Sequence, residues 1–359
     1  MQHRELIDLS VGNPTEVGLS PPNEVLSALL AASDCAHYEP APFGSHEARS
    51  VLAAEFALDP RNIMLTASTS EAYSHLFKLL CDPGDSVLVP SPSYPLFDVL
   101  AQLENVALIP YRLDYDGEWH LDADALLAAR APNTRAVITV HPNNPTGSFL
   151  KRDELRALSA LGLPIISDEV FAPYPLRDDP RRAVSALEAA ADTLVFRLGG
   201  LSKSCALPQL KLAWTAIAGP GSEAAIERLE HIADAYLSTS APVQHALPGL
   251  LALGPQVREK IRARVQTNLT LLRVALANSP ASVLNVEGGW YAIVRVPNTL
   301  DDEGWALALL ERDHIIVQPG YYYELRDGVH LVLSLIVDPR VFAEALPKLR
   351  ARLSLADHG

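Results

Sequence analysis

Leu198-Gly-Gly-Leu-Ser-Lys203-Ser-Cys-Ala-Leu-Pro-Gln-Leu-Lys211-Leu-Ala-Trp214 decides how the rest of the chain is read. Lys203 stands on a short loop after a β-like run, Thr193–Leu198, and a second cation, Lys211, follows eight residues later. A primary amine on a loop can condense with an aldehyde. A cation at that remove can meet a phosphate on the same molecule. The pairing suits pyridoxal 5'-phosphate, provided that other parts of the chain supply the rest of its site.

Outward from this stretch, β-like and helical runs alternate from residue 60. Asn62–Thr66, Ser86–Val89, Val106–Pro110, Arg135–Val140, Pro164–Ser167, Thr193–Leu198 and Leu212–Ala218 read as strands. Ser70–Leu80, Tyr94–Leu103, Ala123–Ala129 and Arg152–Ala160 read as the helices between them. Several strands are near-continuous apolar runs, as expected where both faces of a sheet are covered. The alternation predicts an α/β fold with a mostly parallel sheet and right-handed crossovers. After Gly219 the pattern changes to long helices, Ser222–Tyr236 and Pro255–Ala277, and then to strands and helices of a smaller α+β part.

The 359 residues allow a large core and two domains. A net charge of −14 argues against a nucleic-acid partner, which wants a basic face. Cys35, Cys81 and Cys205 show neither metal spacing nor a disulfide framework, which fits a reducing, cytoplasmic compartment. The N-terminus lacks an apolar signal core, and no apolar run approaches a membrane span.

Ligands of open α/β sheets sit at the carboxyl ends of strands, and the candidates fall there. Ser68-Thr69-Ser70 follows a strand and opens a helix, which makes either a phosphate seat or an ordinary helix cap. Tyr94, in Ser91-Pro-Ser-Tyr94-Pro, could stack on a flat ring or lie on the surface of a turn. Asn144, in His141-Pro-Asn-Asn144-Pro-Thr-Gly147, could donate to a ring hydroxyl, in a string that is also turn chemistry. Asp168 ends the run Pro164–Ser167, where a carboxylate can keep a pyridinium nitrogen protonated or cap a helix. Independent turns and caps have no reason to fall in this order before Lys203.

In this order of motifs the chain resembles the class I/II aminotransferases, pyridoxal-phosphate enzymes of fold type I, from Ile7-Asp-Leu-Ser-Val-Gly12 to the last strand and helix. The resemblance implies a large domain over residues 34–254. It implies a small C-terminal domain over 255–359, with residues 1–33 as an N-terminal arm and the first part of the small domain. It also implies roles. Lys203 carries the Schiff base and moves the proton, Asp168 pairs with the ring nitrogen, Asn144 contacts the ring oxygen and Tyr94 stacks on the ring. Ser68, Thr69, Ser70, Ser202 and Lys211 surround the phosphate. Gly12 closes over substrate, and Tyr38 reaches the phosphate of a neighbouring subunit in a homodimer with shared active sites.

Four positions depart from the family's pattern. Lys211 stands where arginine is common, which keeps the charge and loses the bidentate fork. Gly200 removes a frequent serine hydroxyl. Phe171 replaces a tyrosine, and Tyr174 either supplies the missing hydroxyl or packs beside Pro173 and Pro175. Val332, in His330-Leu-Val-Leu-Ser334, replaces the arginine that clamps the substrate carboxylate. Arg295 shares a strand face with Tyr291 and Ile293 and is the candidate substitute, or else a surface arginine. Trp290 and the run Tyr321-Tyr-Tyr323 lean towards a hydrophobic or aromatic amino donor, with Tyr323 facing substrate, or are plain core.

The expected activity is transfer of an amino group from an amino acid to a 2-oxo acid in two alternating half-reactions. A C–S β-lyase or decarboxylase on the same scaffold is the alternative, and an effector-sensing regulator a further one. Fold alone does not separate them.

Overall fold

The computed structural model describes residues 6–32, 36 and 38–354. Cys35 and residues 1–5 of the N-terminal reading lie outside them.

An eight-stranded sheet forms the larger part of the fold. Its strands lie in the order Ile63–Thr66, Ala213–Ala218, Val195–Gly200, Ile165–Asp168, Thr134–Val140, Ser86–Ser91, Ala107–Tyr115, Trp119–Leu121. The strands from Val195–Gly200 to Ala107–Tyr115 pair in parallel, while Ala213–Ala218 runs antiparallel to both of its neighbours.

Alternation of side chains explains the two covered faces. Met64, Val87, Ile138, Ile166 and Phe196 pack with the helices Thr69–Leu80, Leu96–Leu103 and Ser222–Asp234. Their neighbours Leu88, Val137, Ile165 and Val195 pack on the other face with Ala123–Ala129 and Arg152–Ala160. Each fully buried aliphatic side chain stabilises the fold by about 1.5–3 kcal/mol. Truncating Ile138 to alanine would cost about 2–5 kcal/mol, because the side chain is fully buried and its removal leaves a cavity.

The strands expected from sequence all form, with ends shifted by at most five residues. The added strand Trp119–Leu121 pairs antiparallel with Leu113–Tyr115 at the sheet edge and is too short to stand out as a run. The larger difference is the helix Ala241–Leu276, which begins well before Pro255 and continues through Pro248 and Pro255. Each proline removes one backbone hydrogen bond from a helix. Packing outweighs that loss: Leu247 and Leu250 are buried beside Leu52 and Trp214, and Ile261 and Val265 beside the C-terminal strands.

Beyond the large sheet, Ser282–Val283, Tyr291–Val296, Val329–Ser334 and Gln318–Pro319 form an antiparallel sheet. The chain's beginning joins this part. Ile7 and Asp8 pair with Ile315 and Ile316, and the Ser334 amide donates to the Leu9 carbonyl at 2.7 Å. The helix Asn23–Ala31 packs elsewhere, with Leu26 buried beside Leu52 and Leu247. Among the described residues, no helix is long and apolar enough to cross a membrane.

Candidate active site

Parallel strands bring their carboxyl ends to one edge of the sheet, and that edge carries Thr66, Ser91, Val140, Asp168 and Gly200. The segments expected to carry chemistry leave the sheet there.

Lys203 lies in a one-turn helix, Leu201–Ser204, directly after its strand. It is half-buried, and its Nζ lies 4.9 Å from the Trp290 ring centroid and 5.4 Å from that of Phe171. Enclosure among these rings strips water from the ammonium and brings its pKa down to about 8, against the attraction of Asp168. The residue is therefore an amine that loses its proton easily.

Asp168 faces it. Burial pushes this carboxyl up to about 6, and the donors present pull only weakly the other way. The Val170 amide reaches Oδ1 at 3.2 Å and the Tyr73 hydroxyl reaches Oδ2 at 3.4 Å. Tyr73 was not anticipated from sequence. It sits one turn beyond Ser68-Thr69-Ser70 on the helix Thr69–Leu80, a spacing that could have marked it.

The Ser68 hydroxyl caps that helix by accepting from the Glu71 amide at 3.2 Å. Glu71 Oε2 in turn accepts from the Ala67 amide at 2.6 Å, which steadies the turn. The amides of Thr69 and Ser70 lie in the first helical turn, where no intrahelical acceptor exists. Asn144 is buried, and its Oδ1 has no hydrogen-bond partner. Tyr94 is about half exposed.

The predicted residues are not all gathered here. Lys211 is exposed, in a left-handed backbone conformation with φ 49°. Ser202 is half-buried beside Lys203. Tyr38 is strongly exposed. Tyr174 is fully buried, and its hydroxyl donates to the backbone carbonyl of Lys203. Gly12 meets the Tyr291 hydroxyl so closely that an added Cβ would lie 2.4 Å from it.

Val332 is fully buried opposite Ile293, in a cluster with Trp119 and Tyr323. The side chains packed around it are apolar or aromatic. Arg295 pairs with His330 one cross-strand step further along the same sheet face, is exposed, and lines a cavity of about 380 Å³. Tyr323 is buried and donates its hydroxyl to Gln318, whereas Tyr321 and Tyr322 point outward, so three tyrosines do not line one pocket.

These features fit pyridoxal phosphate. A half-buried carboxylate with two long hydrogen bonds has room for a strong cationic donor such as a pyridinium N–H. The buried Asn144 Oδ1 is without a partner, and the first-turn helix amides offer a phosphate seat.

The family model for aminotransferase class I and II matches residues 4–335. Among curated relatives, alanine aminotransferase of Mycobacterium bovis is 27% identical, over 97% of this chain and 85% of that protein. Glutamate-pyruvate aminotransferase AlaA of Escherichia coli is also 27% identical, over 68% of this chain and 62% of its own length. The solved alanine aminotransferase from Pyrococcus furiosus superposes with a TM-score of 0.89 at 22% identity, covering 98% of this chain and 92% of that one. The tyrosine aminotransferase from Leishmania infantum gives 0.87 at 20% identity, covering 98% and 93%. At such identities the structures speak for the fold alone. The match over nearly the whole length speaks for more: this chain belongs to the class I and II aminotransferases, pyridoxal-phosphate enzymes that move an amino group between an amino acid and a 2-oxo acid.

Proposed function

We propose that Lys203 is the amine that condenses with the cofactor aldehyde and then carries the proton to and from the substrate α-carbon. The observation that carries this reading is geometric: Lys203 follows its strand with Nζ against the Phe171 and Trp290 rings, and Asp168 ends the parallel strand beside it. When bound, the cofactor supplies an electron-withdrawing ring that stabilises negative charge at the substrate α-carbon. The chain's residues do the rest. Asp168 holds the ring nitrogen's proton, Asn144 meets the ring oxygen, and Tyr94 covers one face of the ring. The Ser68-Thr69-Ser70 turn, Ser202 and Lys211 take the phosphate, with Lys211 swinging in from its exposed position. Phe171 and Trp290 keep water from the Lys203 ammonium, so that it gives up its proton more readily than an ordinary lysine.

The same reading covers the substrates. Relatives named for alanine and for glutamate and pyruvate support alanine or glutamate as donor, and the outward-facing Tyr321 and Tyr322 offer no aromatic pocket. Arg295 takes the substrate carboxylate from the face that Val332 leaves uncharged. The working unit is a homodimer with shared sites, Tyr38 meeting the neighbour's phosphate, in the cytoplasm. Sedimentation and cell fractionation check those two points.

The deciding experiment is a half-reaction with no acceptor present. Alanine or glutamate should release a 2-oxo acid in an amount equal to the enzyme and then stop. Val332 favours one competing reading, β-elimination or decarboxylation, and continuous release of ammonia or carbon dioxide would support that instead.

A further inference from the structure

The loop that carries Lys203 has a second side, turned towards the helix Ala241–Leu276 and the segment after Asp168. A cavity of about 400 Å³ opens there, lined by Arg197, Arg258 and Arg262 together with Gly200, Ser204 and Trp214. Three guanidinium groups around one small cavity call for an account.

Structural pairing occupies only part of their capacity. Arg197 Nε donates to Glu169 at 2.8 Å, and its Nη1 is buried with no partner. Arg262 Nη1 pairs with Glu259 at 2.9 Å and Nη2 reaches the Pro173 carbonyl at 3.3 Å, while its Nε is buried and unpartnered. Arg258 reaches the Ser204 carbonyl at 3.5 Å, a long contact. The Trp214 Nε1–H is a third buried donor without an acceptor. The unpartnered atoms on the residues that line this cavity are therefore all donors.

Two carboxylates share the lining. Glu169 is fully engaged: Oε1 accepts from the Ser167 and Ser185 hydroxyls and the Ala186 amide, and Oε2 takes Arg197. Glu55 is exposed. Neither supplies the acceptors that the three orphan donors lack. A buried donor without an acceptor is costly, and guanidinium groups match oxyanions in geometry as well as charge.

We propose that this cavity is a binding site for a small oxyanion, a phosphate- or carboxylate-bearing molecule, held by Arg258, Arg262 and Arg197 behind the Lys203 loop. Arg258 ties the site to the residue next to Lys203 through the Ser204 carbonyl. Occupancy therefore bears on the position of the lysine from the side away from the cofactor.

The test uses cofactor-saturated enzyme, so that the cofactor's own phosphate seat is filled. Calorimetric titration with inorganic phosphate, and separately with succinate, should show one saturable site. Its affinity should fall about tenfold or more in Arg258→Gln and in Arg262→Gln, the loss expected for one charge-assisted hydrogen bond. The two probes distinguish a phosphate site from a carboxylate site. Because a variant could lose its fold, crystals of the unmodified enzyme soaked in selenate provide an independent readout, with anomalous density expected between Arg258 and Arg262. The proposal is overturned by the absence of saturable binding, by equal affinity in folded variants, by phosphate binding that displaces cofactor, or by soaked crystals with an empty cavity.

Discussion

The Tyr174 hydroxyl donates to the backbone carbonyl of Lys203, so a fully buried side chain from the segment after Asp168 holds the lysine loop from beneath. A hydroxyl used in this way is not free to reach a cofactor ring, and the tyrosine lost at Phe171 is not replaced from position 174 in this arrangement. Tyr174→Phe leaves a buried carbonyl without its donor, a loss of about 1–3 kcal/mol. Thermal or urea unfolding of the cofactor-free protein should show that loss, with cofactor still bound by the folded variant. Unchanged stability would remove the tether.

Asp168 carries two opposite expectations. In Asp168→Asn the ring nitrogen loses its anionic partner, and cofactor affinity should fall roughly 10- to 100-fold, as for a charge-assisted hydrogen bond. The cofactor-free variant should nonetheless be at least as stable as the parent near neutral pH. The folded-state pKa of Asp168 is raised to about 6, so its burial costs nothing below its unfolded value near 4, costs more as pH rises between the two, and costs fully above 6. Unfolding measured against pH should show the gap opening over that window. A parent more stable than the variant at pH 7 would reverse the sign.

Lys203 has the complementary shift. Its amine reacts with an aldehyde only when neutral, and its pKa is brought down to about 8. The rate at which cofactor attaches to the cofactor-free protein should rise with pH and level off above about 8. An ordinary lysine would keep the rate rising towards pH 10. Stopped-flow mixing at a series of pH values separates the two.

Glu287 joins the sheet's loops to the C-terminal strands. It takes Lys151 Nζ at 2.8 and 2.9 Å and the Phe149 amide at 3.1 Å, with both charged side chains nearly buried. Removing one partner strands the other in a dry site, so Glu287→Ala should cost about 3–5 kcal/mol. Equilibrium unfolding measures it, and a loss under about 1 kcal/mol would mean that water reaches the pair.

The α/β class, the order of strands in sequence and the segments around Lys203 were legible because buried strands announce themselves as apolar runs and turn residues mark their ends. Asp168, Asn144 and Ser68 could be placed at strand ends for the same reason. What could not be read depends on long-range packing. Pro248 and Pro255 look like helix punctuation, yet burial of Leu247, Leu250 and Ile261 carries the helix through both. Tyr73 and Asp168 are far apart in sequence, and no local pattern ties a helix tyrosine to a strand carboxylate. Arg295 alternates correctly with Ile293, but alternation does not reveal that Val332 is walled in and that the arginine lies a step further out. The arginines at 197, 258 and 262 look like surface charges until the fold lines one cavity with them.

The central claim is that Lys203 holds the cofactor. The direct measurement is borohydride reduction of the cofactor-loaded enzyme followed by peptide mass mapping. The account predicts that the reduced cofactor is found on the peptide containing Lys203, and that Lys203→Ala retains no cofactor through denaturation. Cofactor fixed to another lysine in the unmodified enzyme, or fixed equally well in Lys203→Ala, would contradict it.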